Sequence, residues 1–357
     1  MNWIGTARFI YNKALEYTKK EGIRPNAISL TPLFITQKSR EGIENTNIPS
    51  WTFETPKDIR KGSLRDLEKA FKSAISNLRN GNIDRFNLGY RKKKNQSSLE
   101  IPSTALKYKD GKISIYPKYL DSIKISKRQK KKENIVINET CRLQYYRNQW
   151  FLIVPTKKTT KERNPPTKEC CSLDPGVRTF QTIYTLDEVI KIQQNRTLLE
   201  KLRKKIDTFQ SLRDQKLIKR SSYTRRINRI YRKIENITTE LHYKTIGYLK
   251  EYKCILLPSF DNQEMVSNNR FLSRKTKREL LGLNHYKFKC RLQNSLELDR
   301  YSNVNIVNES YTSKTCSNCG DLNKPGVDIY KCKKCELVID RDINGARNIL
   351  IKHLKQI

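Results

Sequence analysis

A chain of 357 residues is long enough for two or three domains, and 36% apolar content supports real but modest cores. Lysine and arginine number 73 against 36 acidic residues, a formal charge of +37 that repels itself unless a polyanion neutralises it. The charge points to nucleic acid as partner, though not to which activity, because each neutralised phosphate releases a condensed counterion; no small-molecule substrate is expected, and no apolar run approaches the length that spans a membrane.

Met1-Asn2-Trp3-Ile4-Gly5 runs straight into a helical pattern, so no secretory signal is expected. From Trp3 to about Lys20, residues such as Ile4, Ala7, Ile10 and Ala14 fall on one helical face. A polar, Pro-bearing stretch leads to Trp51. Thr55, read as an N-cap before Pro56, then opens a second helix that Asn80-Gly81-Asn82 ends, giving a helical region over 1–95. Short strands follow at Leu99-Ile101, Lys112-Tyr116, Ile123-Ile125, Ile135-Ile137, Cys141-Tyr146 and Trp150-Val154. Turn signals at Asp110-Gly111 and Arg147-Asn148 join several of them, and a small β-barrel over 96–158 is the natural closure. Of the basic runs 91–94 and 127–132, at least one is expected on an RNA backbone, although a charged loop is as often merely solvated.

A charged linker from Lys157 to Lys168 precedes the next domain, 168–310. It reads as strands at Cys170-Asp174, Arg178-Tyr184 and Val189-Ile192, a basic helical hairpin at 196–250, a strand at Cys254-Leu257, a helical stretch at Ser273-Leu298 and a strand at Asn303-Glu309. A last helix carries Ile343, Ala346, Leu350 and Leu354 within 336–357. This order of elements predicts an RNase H-like α/β domain, so the whole chain is expected to be mixed α/β and multidomain.

Nine cysteines occur, an odd count, and the last four are clustered: Cys316 and Cys319, twelve intervening residues, then Cys332 and Cys335. Two CxxC knuckles at this spacing bring four thiolates to one tetrahedral Zn²⁺, with no coordination site left open, so 311–335 is expected to be a structural zinc ribbon in a reducing compartment. Two carboxylate groups flank it. Asp174 precedes Pro175-Gly176 at a strand end, and Asp340 and Asp342 open the final helix. Phosphodiester hydrolysis by two Mg²⁺ ions needs carboxylates gathered from separate elements. Taken alone, Asp-Pro-Gly is a common turn and either aspartate a common helix cap.

Residues 172–180 (SLDPGVRTF), 311–320 (YTSKTCSNCG) and 340–349 (DRDINGARNI) resemble the first RuvC motif, the zinc-ribbon entry and the third RuvC motif of the transposon-encoded TnpB proteins and their eukaryotic and viral Fanzor relatives. Arg8 to Leu15 is similar to that family's N-terminal helix, ahead of which the family usually carries a further barrel strand. The resemblance implies an RNA-guided DNA endonuclease related to type V CRISPR effectors. It would be a monomer in a ribonucleoprotein with an omega-type guide RNA, acting on target DNA beside an adjacent motif. The location would be nuclear in a eukaryotic or viral setting and cytoplasmic otherwise. The resemblance also implies a wedge-like role for 96–158, and a catalytic glutamate after Cys254-Ile255-Leu256-Leu257, where this chain has Pro258. Fanzor-like members carry an alternative on the next strand, here Glu309, which completes the expected Mg²⁺ set Asp174, Glu309 and Asp342; Glu264 is the runner-up. The competing expectations are a catalytically inactive RNA-guided binder, a zinc-ribbon nucleic-acid-binding factor and a transposase acting without RNA.

Overall fold

The computed structural model describes residues 2–37, 48–93, 96–109, 111–124, 136–158, 163–259, 272–324, 326 and 328–354. The basic run 127–132, Lys94, Asp110, Ile135 and Glu264 with its neighbours lie outside the described residues. The chain divides into two compact units, Met1–Lys157 and Lys158–Ile357.

In the first unit, α1 (Trp3–Lys20) buries Ile10, Tyr11, Ala14 and Leu15 against α2 (Ala27–Phe34) and α3 (Lys57–Arg79). Helix α2 is not apparent in the sequence because Pro32 sits inside it. Its start is nonetheless well capped, since Asn26 Oδ1 accepts from the backbone N–H groups of Ile28 and Ser29 at 2.8 and 3.3 Å. Thr55 does not cap α3. Its hydroxyl donates to Thr6 Oγ1 at 2.7 Å, and the helix begins after Pro56 without a side-chain cap.

Six strands follow: β1 (Gln96–Ile101), β2 (Leu106–Lys109), β3 (Lys112–Ile115), β4 (Ile123–Lys124), β5 (Cys141–Tyr146) and β6 (Gln149–Ile153). They pair antiparallel as two three-stranded sheets, β1-β5-β6 and β2-β3-β4. Among the described residues no ladder closes these sheets into a barrel; a shared core of Leu99, Ile101, Leu106, Ile115 and Leu143 holds them, together with Trp3 and Ile59 of the helices. Arg147 and Asn148 both take positive φ, 46° and 63°, as a two-residue hairpin between β5 and β6 requires.

The second unit is built on a five-stranded sheet of β7 (Lys168–Pro175), β8 (Gln181–Tyr184), β9 (Val189–Ile192), β10 (Tyr252–Pro258) and β11 (Asn303–Val307), in the spatial order β11-β10-β7-β8-β9. Strands β7, β10 and β11 run parallel, and β8 and β9 antiparallel to their neighbours. The hairpin of α4 (Arg196–Asp214) and α5 (Arg220–Leu249) connects β9 to β10. The basic stretch before β11 is two helices, α6 (Arg274–Leu283) and α7 (His285–Leu296), broken where Asn284 adopts φ 51°. Asparagine reaches this left-handed conformation more readily than other side-chain-bearing residues. A short hairpin of β12 (Ile329–Lys331) and β13 (Val338–Asp340) leads into α8 (Arg341–His353).

Strand alternation decides what faces what. Cys171 and Leu173 of β7 point into the main core with Phe180, Ile183, Phe288 and Leu292. Cys170 belongs to the opposite core with Cys254, Leu256, Val307, Ile349 and Leu350, and Ser172 Oγ donates to the Ala346 carbonyl of α8 at 2.7 Å. Asp174, two residues on, therefore faces α8.

Candidate metal centres and nucleic-acid surfaces

Four sulfurs make the tighter centre. Cys316 and Cys335 Sγ lie 3.6 Å apart, as do Cys319 and Cys332 Sγ, and all four lie within 4.8 Å of one another. A tetrahedral zinc with bonds of about 2.3 Å spaces its sulfurs by about 3.8 Å, so these thiols fit that ion. Asn318 and Asn323 aim their amide nitrogens at Cys335 and Cys332 Sγ, at 3.6 and 3.5 Å, which favours the thiolate form. The Leu337 backbone N–H, helped by Asn318, holds Cys335 down to about 6. Tyr330 packs fully buried against the cluster. All nine cysteines are free thiols, so none is committed to a disulfide.

Asp174 and Asp342 come close to each other by the first turn of α8. Because β7, β10 and β11 are parallel, their C-terminal ends lie along one edge of the sheet, where ligands collect in open α/β sheets. Asp174 stands near that end of β7, and Glu309 follows β11 by two residues. Asp340 caps α8, its Oδ1 accepting from the N–H groups of Asp342 and Ile343 at 3.0 and 3.2 Å, which leaves Asp342 in the first turn with its carboxylate uncommitted to capping. All three carboxylates are half-buried. Asp174 keeps some solvent access yet is densely surrounded, and burial, then Asp342, then Glu309 push its carboxyl up to about 8, with Arg341 opposing. Burial also raises Glu309 and Asp342, and Asp340 adds to the effect on Asp342.

These acids are less tightly gathered than the cysteines, which are the one group of three or more potential ligands among the described residues within 4.8 Å of one another. Two observations nevertheless suit a divalent ion. A Cβ on Gly345 would lie 2.7 Å from Asp174 Oδ2, so α8 can approach the carboxylate only because this residue is glycine. Thr182 pairs directly with Asp174 across the antiparallel β7–β8 ladder and so shares its face; its hydroxyl is fully buried and has no hydrogen-bond partner among the described residues. A buried hydroxyl of this kind suits an ion's water or carboxylate shell.

Some contributors were not legible in the sequence. Lys191, opposite Thr182 on β9, reaches Asp340 at 2.6 Å and lowers Asp342's carboxyl; only the strand register could have revealed it. His285 Nε2 lies 3.2 Å from the Gly176 carbonyl just beyond Asp174, and Phe180 stacks between His242 and His285 with ring centroids 5.2 Å from each. At the position where the resemblance places a glutamate, Pro258 closes β10 opposite Val307 and offers no ligand.

Two surfaces suit nucleic acid. In the first unit a groove of about 790 Å³ is lined by Arg8, Phe9, Trp51, Tyr90, Lys93 and Trp150, combining exposed aromatic faces with cations. In the second, the α4–α5 hairpin exposes Lys204, Lys205, Arg225, Arg226, Arg229 and Lys233. No helix of the described residues is long and apolar enough to cross a membrane.

Residues 153–255 match a family model described as "Probable transposase", and residues 285–349 match one described as "Cas12f1-like, TNB domain". Putative transposase A625R of Paramecium bursaria Chlorella virus 1 is 33% identical, over 99% of this chain and 83% of that protein. The chain belongs to the TnpB family. TnpB-like protein L770 of Acanthamoeba polyphaga mimivirus is 30% identical over 99% of this chain and 70% of its own length. At 23% identity, over 97% of this chain and 86% of that protein, the family extends to the putative RNA-guided DNA endonuclease InsQ of Escherichia coli K12. The second family model begins at His285, the first residue of α7, and so takes in β11, the four cysteines and most of α8.

Proposed function

We propose that this TnpB-family chain is an RNA-guided DNA endonuclease with a single site formed by Asp174, Glu309 and Asp342. What supports the reading is the close approach of α8 to Asp174 at Gly345 and of Asp342 Oδ2 to Gly176, with Asp174 driven up to about 8 by burial, Asp342 and Glu309. Such mutual repulsion costs stability and is relieved by divalent cations. Asp174, Glu309 and Asp342 would hold Mg²⁺, whose chemistry there would be to activate a water and offset the charge that builds on the scissile phosphate. The protein's own part is to hold three acids in place. Asp174 is fixed by the central strand and the close approach of Gly345, and Asp342 by the cap that Asp340 makes.

The sheet order and the position of the acids at its carboxyl edge support an RNase H-like, RuvC-type domain, with the four cysteines as its zinc ribbon and the paired sheets of the first unit as a wedge-like element. The aromatic groove and the basic hairpin support contact with guide RNA and target DNA, in which base pairing reads the sequence and the protein reads backbone and shape. The location we propose is nuclear in a eukaryotic or viral setting and cytoplasmic otherwise.

The test is to purify the chain with its RNA and incubate it with a target plasmid in Mg²⁺. Cleavage should occur, and Asp174→Ala, Glu309→Ala and Asp342→Ala should each lower it by roughly 10³-fold or more while the same RNA is retained. Activity surviving in Glu309→Ala but lost in Glu264→Ala would move the third ligand. One observation, Pro258 at the end of β10, favours a second reading: an RNA-guided DNA binder that does not cut. A wild-type particle that shifts the plasmid without nicking it selects that alternative.

A further inference from the structure

The helix that carries Asp342 also grips the cysteine ribbon, through side chains neither metal set uses. Asn344, Asn348 and Lys352 are spaced by four and so form one stripe along α8, away from the Ala346 and Ile349 side that meets the sheet. Asn344 is fully buried. Its Oδ1 accepts from the Ser317 N–H at 3.1 Å, inside the first CxxC knuckle, and its Nδ2 donates to the Thr315 carbonyl at 2.9 Å. Asn348 Nδ2 donates to the carbonyls of Thr315 and Thr312 at 2.7 and 2.8 Å. Lys352 Nζ donates to the Ser310 carbonyl at 3.2 Å. Thr312 in turn gives both its N–H and its hydroxyl to the Glu309 carbonyl, at 3.2 and 2.8 Å. From the knuckle back to Glu309, the backbone is thus laid along a helix whose first turn holds Asp342.

We propose that Asn344 and Asn348 are positioning residues that couple the two metal centres, so that filling the cysteine site improves divalent-ion binding by the carboxylates, and the reverse. The physical basis is a shared rigid part. With its four sulfurs on one ion the knuckle fixes Ser317 and Thr315, the two asparagines transmit that position to α8 and to Thr312, and Asp342 and Glu309 are then held at one spacing. When the knuckle opens, those four hydrogen bonds lose their fixed partners and the spacing relaxes. Coupling of binding free energies is reciprocal, so a divalent ion at the carboxylates must hold zinc in the ribbon more tightly.

The inference rests on the reading of the acids as a divalent-ion site, and one experiment separates the two. On the full chain with its RNA, Mn²⁺ binding is measured by electron paramagnetic resonance, and zinc release to a chromophoric chelator is timed with and without Mn²⁺. Mn²⁺ should bind the wild type and slow zinc release by about fivefold or more. In Asn344→Ala and Asn348→Ala, zinc should leave faster and the Mn²⁺ effect should vanish, with Mn²⁺ binding weakened. Asp174→Ala should abolish the Mn²⁺ effect while leaving zinc release at its Mn²⁺-free rate. If Mn²⁺ does not bind the wild type, the nuclease reading fails and the coupling with it. If Mn²⁺ binds but zinc release does not respond, or responds equally in the asparagine variants, the coupling alone is overturned. The wild-type arm needs no substitution, so a variant that misfolds leaves the test intact.

Discussion

Two clusters of candidate ligands adjoin the same helix and its flanking loops, and the fold treats them in opposite ways. The four cysteines fall within 20 positions (335 − 316 + 1), sit within 4.8 Å of one another and are hydrogen-bonded by neighbouring amides. The carboxylates at 174 and 342 are 168 positions apart (342 − 174), and burial together with Asp342 raises the proton affinity of Asp174. The first set is local chemistry that organises the chain when its ion arrives. The second is a repulsive cluster that the rest of the sheet must hold in place. A cluster suited to fold a ribbon and a cluster proposed to act on substrate thus leave different marks on a protein before any ion is bound.

The largest effect that would break this contrast is at the ribbon. Cys332→Ser removes one of four thiolates, and structural zinc sites supply much of the free energy that folds them. Zinc content should drop to near zero, and hydrogen exchange at the buried Tyr330 and its strand should speed up as if several kcal/mol of local stability were gone. Retained zinc with three thiolates would show that the four do not act as one set. Asp174→Asn is the opposite case. It deletes a carboxylate that burial, Asp342 and Glu309 all disfavour, so in the presence of a chelator the variant should be more stable than wild type by about 1–3 kcal/mol, read from the urea midpoint. A less stable variant would mean that Asp174 contributes to the metal-free fold.

How each set was legible follows from the same difference. Cysteine spacing is a local property, and Cys316 to Cys335 announced the cluster without any knowledge of the fold. Asp174 and Asp342 became a candidate pair only through the element order and a resemblance, because no periodicity connects residues that meet across a sheet. Alternation along a strand puts Asn305 and Val307 on one face, and there Asn305 reaches Cys254 Sγ and Val307 packs with Cys254 under α8. Thr182, Lys191 and His285 were not readable, since their roles depend on ladder register and on where a helix lands. Pro32 hides helix α2, and Thr55 before Pro56 has the pattern of a cap because its partner Thr6, 49 positions away, is invisible to local sequence. Asp340 illustrates both sides: the ordinary reading as a cap is right for it, and that is what leaves Asp342 available.

The smallest expected effect concerns the histidines behind the carboxylate edge, and it sharpens the comparison because the ribbon has no equivalent. His242 Nε2 lies 2.8 Å from the Leu283 carbonyl and Nδ1 lies 2.8 Å from Arg291 Nη1; with one nitrogen donating and the other accepting, the ring is neutral. His285 is likewise placed between the Gly176 carbonyl and Gln181 Nε2. Burial drives both down to about 4. In the unfolded chain a histidine takes its proton near 6.5, so the unfolded state binds protons first. The stability these rings contribute is complete above that value and is lost as the pH falls from 6.5 toward 4, at no more than about 1.4 kcal/mol per pH unit for each ring. Between pH 7 and 6 the loss is only about 0.7 kcal/mol per ring. Asp174 changes stability in the other direction as the pH falls, so wild type must be compared with a His242→Gln, His285→Gln double variant under the same conditions. The unfolding free energy of wild type should fall more steeply with acid than that of the variant, and fluorescence-detected urea titrations at pH 7, 6 and 5.5 would detect it. Parallel pH profiles would mean the rings take their protons as readily in the fold as in the unfolded chain, and the neutral stack around Phe180 would have to be abandoned.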